Sequence, residues 1–309
     1  MSRKLSPKFA VTVIAPTAQL GGLAELDQLL VDRGITVLGQ REMAVPRSLA
    51  QGRSARVLVL ADVPEPAPLA LQLDGLGETL GMDLVLQTQA VRQANYKLAV
   101  FDMDSTVIQC EVIDQLAIRA GVGAEVAEIT ERAMRGELDF KASFTERLGM
   151  LEGLSESALA DVAANLPITE GMPELILTLR ARGIRTAILS GGFNYFARHL
   201  QDRFGFDEYH ANALEIVDGQ ATGRVVSDIV DGDRKRHLLE SIAADMGIDH
   251  SQVIAVGDGA NDLPMLGVAG LGVAFEAKPI VREQAAHNIR QVGLDGVLYL
   301  LGSASELDC

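Results

Sequence analysis

The chain has 309 residues, 48% of them hydrophobic, which is enough to bury a large core in two domains or one large one. Its formal charge of −15 excludes general binding to nucleic acid, which needs basic surface to displace the counterions of phosphates. Any site for an anionic substrate must therefore reverse the field locally, with a metal, a few cations or helix N-termini.

Two cysteines, Cys110 and Cys309, are too few for a disulfide framework and belong to no Cys/His zinc cluster, so a reducing compartment is expected. The basic start is followed by an apolar run that is short, carries Thr12 and stops at Pro16, which reads as a strand rather than a secretion signal. No segment has the length of a membrane span. The expectation is a soluble, cytoplasmic protein.

In chain order, "KFAVTVIA" (8–15) alternates like a strand, and "LAELDQLLVDRG" (23–34) has helical spacing that stops at a glycine. Strands are predicted over 35–45 and 55–63, a second helix over 68–81 and a last strand over 82–91. The order βαββαβ points to a ferredoxin-like sandwich over residues 1–92, and "RQANY" (92–96) reads as a linker. From Lys97 onward, apolar strands at 97–102, 184–189, 207–214, 253–257 and 271–275 alternate with helical patterns, as in an α/β parallel sheet covered on both faces. Residues 111–170 are too long for an ordinary crossover and read as several helices, a cap inserted after the first of these strands.

Ligands of open α/β sheets bind beyond the carboxyl ends of the strands. Asp102 and Asp104, in "VFDMDST", end the first strand of this region, and Asp258 and Asp262 follow "VIAVG" in "GDGANDLPM". One Asp after a strand is commonly a helix cap or turn residue. Four converging on one edge would repel one another strongly without a cation, and oxygen-only ligands beside a phosphate suit Mg²⁺. In "LSGGFNYFARHL" (189–200) a strand, Ser190, two glycines and a helix start could present a hydroxyl and backbone N–H groups to an anion, or form a plain turn. Lys235 lies in "VDGDRKRHLLESI", where spacing alone does not select it over Arg234 or Arg236.

Together "DMDST", "SGG", Lys235 and "GDGAND", in this order and separated by a cap, resemble the haloacid dehalogenase superfamily of phosphatases, in particular its branch acting on phosphoserine. The resemblance runs from about Lys97 to the end of the chain. It implies a phosphatase domain over 97–309, with Asp102 as nucleophile and Asp104 as general acid and base. It implies that Ser190, Gly191, Lys235 and Asn261 hold the phosphate, and that Mg²⁺ is bound by Asp102, Asp104 (through its carbonyl) and Asp258, with Asp262 in support. Within the cap it places Glu111 near the substrate ammonium and Arg147 on its carboxylate, with Met134 and Phe140 as apolar walls. The implied reaction is hydrolysis of O-phosphoserine to serine and phosphate, the last step of serine biosynthesis. A signalling receiver shares the acids, hydroxyl and lysine, but needs neither the second acid of DxD nor a cap. Residues 1–92 resemble the ACT family in topology, with Gly21 and Gly22 near the first strand-to-helix turn. A homodimer through this unit is expected, with serine sensing as the other reading.

Overall fold

The computed structural model describes residues 9–16, 23–43, 53–61 and 63–302. Gly21, Gly22 and Cys309 lie outside the described residues. The N-terminal part contains β1 (Phe9–Ala15), α1 (Leu23–Asp32), β2 (Val37–Glu42), β3 (Ser54–Leu60), α2 (Pro66–Leu80) and β4 (Asp83–Thr88), in the expected βαββαβ order. The four strands pair antiparallel as β2-β3-β1-β4. Period-two alternation divides their side chains between two faces. Val11, Val13, Leu84 and Leu86 pack with Leu26, Leu30, Leu69 and Leu73 of the two helices. Ile14, Ala55 and Val85 face the other way, into the main core of the protein.

β4 is shorter than the sequence pattern predicts. Thr88 caps a one-turn helix, α3 (Gln89–Arg92), its side chain accepting from the Val91 N–H at 3.2 Å. The segment that reads as a linker begins with a fully buried residue. Arg92 donates to Thr12 Oγ1 and to the Tyr299 carbonyl, each at 2.9 Å, and ties β1 to the C-terminal turn Leu294–Leu300. β1 packs on that turn, and β4 on the last strand of the chain. Arg53 pairs with Asp295 and Glu170, and Asp83 accepts the N–H groups of Arg290 and Gln291 at 2.8 and 3.0 Å. Arg92, at the start of the segment that reads as a linker, is here a buried hydrogen-bonding residue.

The rest of the chain runs β5 (Leu98–Phe101), α4 (Val112–Ala120), α5 (Gly123–Met134), α6 (Phe140–Gly149), α7 (Glu156–Ala164), α8 (Met172–Ala181), β6 (Arg185–Phe193), α9 (Asn194–Phe204) and β7 (Glu208–Asn212). There follow β8 (Leu214–Val217), β9 (Gln220–Val225), α10 (Gly232–Asp245), β10 (Val253–Gly257), α11 (Leu263–Val268), β11 (Leu271–Phe275), α12 (Pro279–Gln284) and β12 (His287–Ile289). Six strands form a parallel sheet ordered β12-β11-β10-β5-β6-β7. β6 and β7 lie on one side of β5, and β10, β11 and β12 on the other. The order therefore reverses at β5, the place where open sheets part to form a ligand crevice. The strand expected over 207–214 is divided. Asn212 ends β7, and a separate antiparallel hairpin, β8 and β9, turns at Asp218 and Gly219, both with positive φ. This hairpin packs under α6. Among the described residues no helix is long and apolar enough to cross a membrane.

Candidate active site

β5 carries the first acid to the switch point. The Asp102 N–H donates to the Val256 carbonyl at 2.9 Å, one residue beyond the β5–β10 ladder, and Asp102 is buried. The chain then turns through Met103–Val107, with Asp104 extended and Ser105 left-handed at φ 56 and ψ 5. A non-glycine residue in that region is a strained turn of the kind found at functional sites. Each polar side chain of the turn is engaged. Asp102 Oδ1 accepts the Met103 N–H at 2.7 Å, and Asp104 Oδ1 accepts the Val112 N–H at the start of α4 at 2.9 Å. Ser105 Oγ donates to Glu111 at 2.9 Å, and Thr106 Oγ1 to Asp258 Oδ1 at 3.0 Å.

Lys235 projects from the first turn of α10 and is completely buried, whereas Arg234 is exposed. Its Nζ lies 2.8 Å from Asp102 Oδ1 and 2.7 Å from Asp262 Oδ1. The other oxygen of Asp262 accepts the N–H groups of Asp258 and Gly259, at 3.1 and 2.9 Å. Asp262 thus fastens the loop after β10 to the lysine. Asn261 stands next to it, its amide oxygen against Gly259.

On the other side of β5, the buried Ser190 accepts the Gly192 N–H at 2.8 Å, which leaves the hydroxyl proton available for a ligand. A Cβ on Gly192 would come within 2.5 Å of Asp104 Oδ2, so only glycine lets this loop approach the acid. Asn212 holds the loop from behind. Its Nδ2 donates to the Gly191 carbonyl at 2.6 Å, while its Oδ1 accepts the Val230 N–H at 2.8 Å, in the segment leading to α10. No local sequence signal marks Asn212, which only the fold makes a fully buried amide at the end of an otherwise half-buried strand.

The cap residues are less closely gathered. Glu111 does not cap α4 with its side chain; it holds Ser105, and its charge raises the pKa of both Asp104 and Asp258. Phe140 begins α6 behind the capping residue Asp139, stacks on Phe144 with ring centroids 6.3 Å apart, and lies against Gly191, where a Cβ would meet its ring tip at 3.4 Å. Arg147 is half-buried and donates to the Ser143 carbonyl at 3.4 Å; it makes no ion pair among the described residues. Met134 ends α5, and its side chain lies outside the described residues. Lys141 of the cap pairs with Asp231, the N-cap of α10, at 3.0 Å, so cap and sheet meet directly above Lys235.

Four acids share this edge with one buried cation, and their protonation shows the imbalance. Burial drives Asp102 well above the usual carboxylate range, with Asp262 adding to the effect and Lys235 opposing it. Burial, then Glu111, pushes Asp104 up to about 8; burial, then Asp262, pushes Asp258 up to about 7. Burial alone would lower Lys235, but Asp102 and Asp262 outweigh it and hold the ammonium charged. Asp102, Asp258 and Asp262 each bring a carboxylate oxygen within 4.8 Å of the others. An all-oxygen set with surplus negative charge fits a hard metal cation.

A parallel sheet with acids at its switch strand, a buried lysine and a helical lid is an arrangement suited to holding a phosphoryl group beside a divalent cation. The chain belongs to the haloacid dehalogenase-like hydrolases, whose family pattern matches residues 96–270. It is 47% identical over 242 residues to a phosphoserine phosphatase of Streptomyces coelicolor, an alignment covering 78% of this chain and 59% of that protein. The chain therefore spans about three fifths of that relative's length. In three dimensions it resembles a HAD-family hydrolase of Salmonella enterica serovar Typhi, with TM-score 0.85, 32% identity, and coverage of 97% of this chain and 99% of that one. It also resembles a phosphoserine phosphatase captured as a phospho-aspartyl intermediate analogue, with TM-score 0.63, 38% identity, and coverage of 67% and 100%.

Proposed function

We propose that this chain is a Mg²⁺-dependent phosphatase that hydrolyses O-phospho-L-serine to L-serine and phosphate. The observation that carries the reading is the pairing of the buried Lys235, at 2.8 Å, with Asp102, two residues before Asp104, whose carboxyl burial pushes toward the protonated form. Asp102 Oδ1 is held by Lys235 and the Met103 N–H, which leaves Oδ2 to attack phosphorus. The P–O ester bond breaks as the aspartyl-phosphate forms, and Asp104 gives its proton to the departing serine oxygen. Asp104, now a carboxylate, takes a proton from water as that water attacks the same phosphorus, releasing phosphate and restoring Asp102. Lys235, the Ser190 hydroxyl, Gly191 and Asn261 would hold the phosphoryl oxygens.

Asp102, Asp258 and the Asp104 carbonyl would hold the Mg²⁺, with Asp262 behind them; when bound it supplies positive charge that offsets both the acids and the phosphoryl group. Arg147, without an ion pair among the described residues, suits the substrate carboxylate, Glu111 its ammonium, and Phe140 and Met134 its apolar walls. The proposed organisation is a phosphatase domain over 97–309, capped by about 111–170, with residues 1–92 as an ACT-like regulatory or dimerisation domain.

The test is phosphate release from O-phospho-L-serine, phosphoethanolamine and p-nitrophenyl phosphate, with and without Mg²⁺. Metal-dependent turnover with phosphoserine strongly preferred is expected. Equal rates on phosphoserine and phosphoethanolamine would instead favour a related phosphatase or phosphotransferase for another small phosphomonoester.

A further inference from the structure

Ser105 stands one residue beyond Asp104 in a backbone conformation, φ 56 and ψ 5, that glycine adopts freely and serine does not. Elsewhere among the described residues positive φ falls on glycine, apart from Asp218 in the hairpin turn and Glu276 after β11. A glycine would relax the turn at Ser105. The side chain is what it would lose, and that side chain is engaged.

The Ser105 hydroxyl has a single proton, and it is directed to Glu111 Oε1 at 2.9 Å. Among the described residues Glu111 makes no other side-chain hydrogen bond and no ion pair, and it does not cap α4, the helix it precedes. An exposed carboxylate on a long side chain would otherwise swing among rotamers. The contacts beside it are in register with it. Ser105 N–H donates to the Cys110 carbonyl at 3.3 Å, and Asp104 Oδ1 accepts the Val112 N–H at 2.9 Å. Asp104 and Ser105 thus hold Val112 and Glu111 side by side at the entry to the cap.

We propose, resting on O-phosphoserine as the substrate, that Ser105 is a positioning residue for its recognition: the hydroxyl fixes Glu111 so that Oε2 receives the substrate ammonium. A carboxylate that accepts from Ser105 on one oxygen keeps the other for a cationic donor. In phosphoserine only the α and β carbons separate the leaving oxygen from the ammonium. The group that reads the ammonium must therefore stand beside the acid that protonates the leaving oxygen, and the turn at Asp104 and Ser105 fastens both. The strained backbone at Ser105 is the cost of placing a hydroxyl there.

Ser105→Gly and Ser105→Ala both remove the hydroxyl, but only glycine relaxes the left-handed backbone. The test measures kcat/KM on O-phospho-L-serine and on 3-phosphonooxypropionate, the same ester without the ammonium, together with thermal midpoints. In both variants the preference for phosphoserine over the ester lacking the ammonium is expected to fall about ten-fold, although Ser105→Gly melts higher than Ser105→Ala. Should the alanine variant fail to fold, the glycine variant carries the test alone. Added to Glu111→Ala, Ser105→Gly should lower the preference no further. A preference kept in Ser105→Gly, or a further fall in the Glu111→Ala background, overturns the proposal. A parent enzyme with no preference between the two esters overturns instead the assignment of Glu111 to the ammonium, on which the role of Ser105 stands.

Discussion

Arg147→Ala separates substrate recognition from folding. Arg147 makes one 3.4 Å hydrogen bond to the carbonyl four residues before it and no ion pair among the described residues, so its removal strands no buried partner charge. Ala is also the best helix former, and the stability change should stay within about 0.5 kcal/mol. Losing a desolvated charge-assisted pair to the substrate carboxylate costs about 2–5 kcal/mol, or roughly 30- to 5,000-fold in kcat/KM. The half-buried position of Arg147 places the expected loss toward the lower part of that range, because solvent screens the pair. Steady-state kcat/KM should be measured on phosphoserine and on phosphoethanolamine, which lacks the carboxylate, alongside a urea midpoint. A large loss on the first substrate and less than about a three-fold loss on the second is expected. Equal losses on both, with the fold intact, would refute the assignment of Arg147 to the carboxylate.

Three further outcomes follow from the geometry. Lys235→Met leaves the Asp102 and Asp262 carboxylates buried against each other, and should lower unfolding stability by about 3–5 kcal/mol at neutral pH while removing turnover; an unshifted denaturant midpoint would contradict the pairing. Burial raises Asp83 from 3.8 to about 6, so the folded protein keeps a proton there that the unfolded chain has lost. That contribution to stability is complete below about pH 4 and disappears as pH rises through about 6, amounting to about 3 kcal/mol. Asp83→Asn should flatten this part of the pH–stability curve relative to the parent; an identical slope in both proteins counts against it. Asn212→Ala breaks the 2.6 and 2.8 Å bonds to Gly191 and Val230, each worth about 1–3 kcal/mol when a buried partner is stranded, and should weaken inhibition by inorganic phosphate as well as slow turnover. Unchanged phosphate affinity would show that Gly191 is positioned without it.

The strands and helices that build the site were legible because their burial follows regular periods. "KLAVF" and "VIAVG" are continuous apolar runs, as fully covered parallel strands must be, and the four cap helices fall where their amphipathic patterns place them. Lys235 is not separable from its arginine neighbours by sequence spacing, since only the docking of α10 against α11 and β6 decides which cation turns inward. The same limit hid Arg92. A charged residue in a polar stretch reads as linker, and its burial depends on Thr12 and Tyr299, distant in the chain. The strand expected over 207–214 runs across the one-residue break at Ala213, and the rest of the hairpin β8–β9 is not expected as strand at all. The role of Asn212 is likewise a product of tertiary contact, without a local motif.

Every step of the proposed reaction passes through a phosphoryl group carried by Asp102. Rapid acid quench of the Mg²⁺-loaded protein during turnover of O-phospho-L-serine, followed by peptide mass spectrometry, tests it most directly. One acid-stable, hydroxylamine-labile phosphoryl group is expected on the peptide containing Asp102, formed fast enough to precede phosphate release and absent in Asp102→Asn. Steady turnover with no phosphorylated peptide, or undiminished turnover by Asp102→Asn, would contradict it.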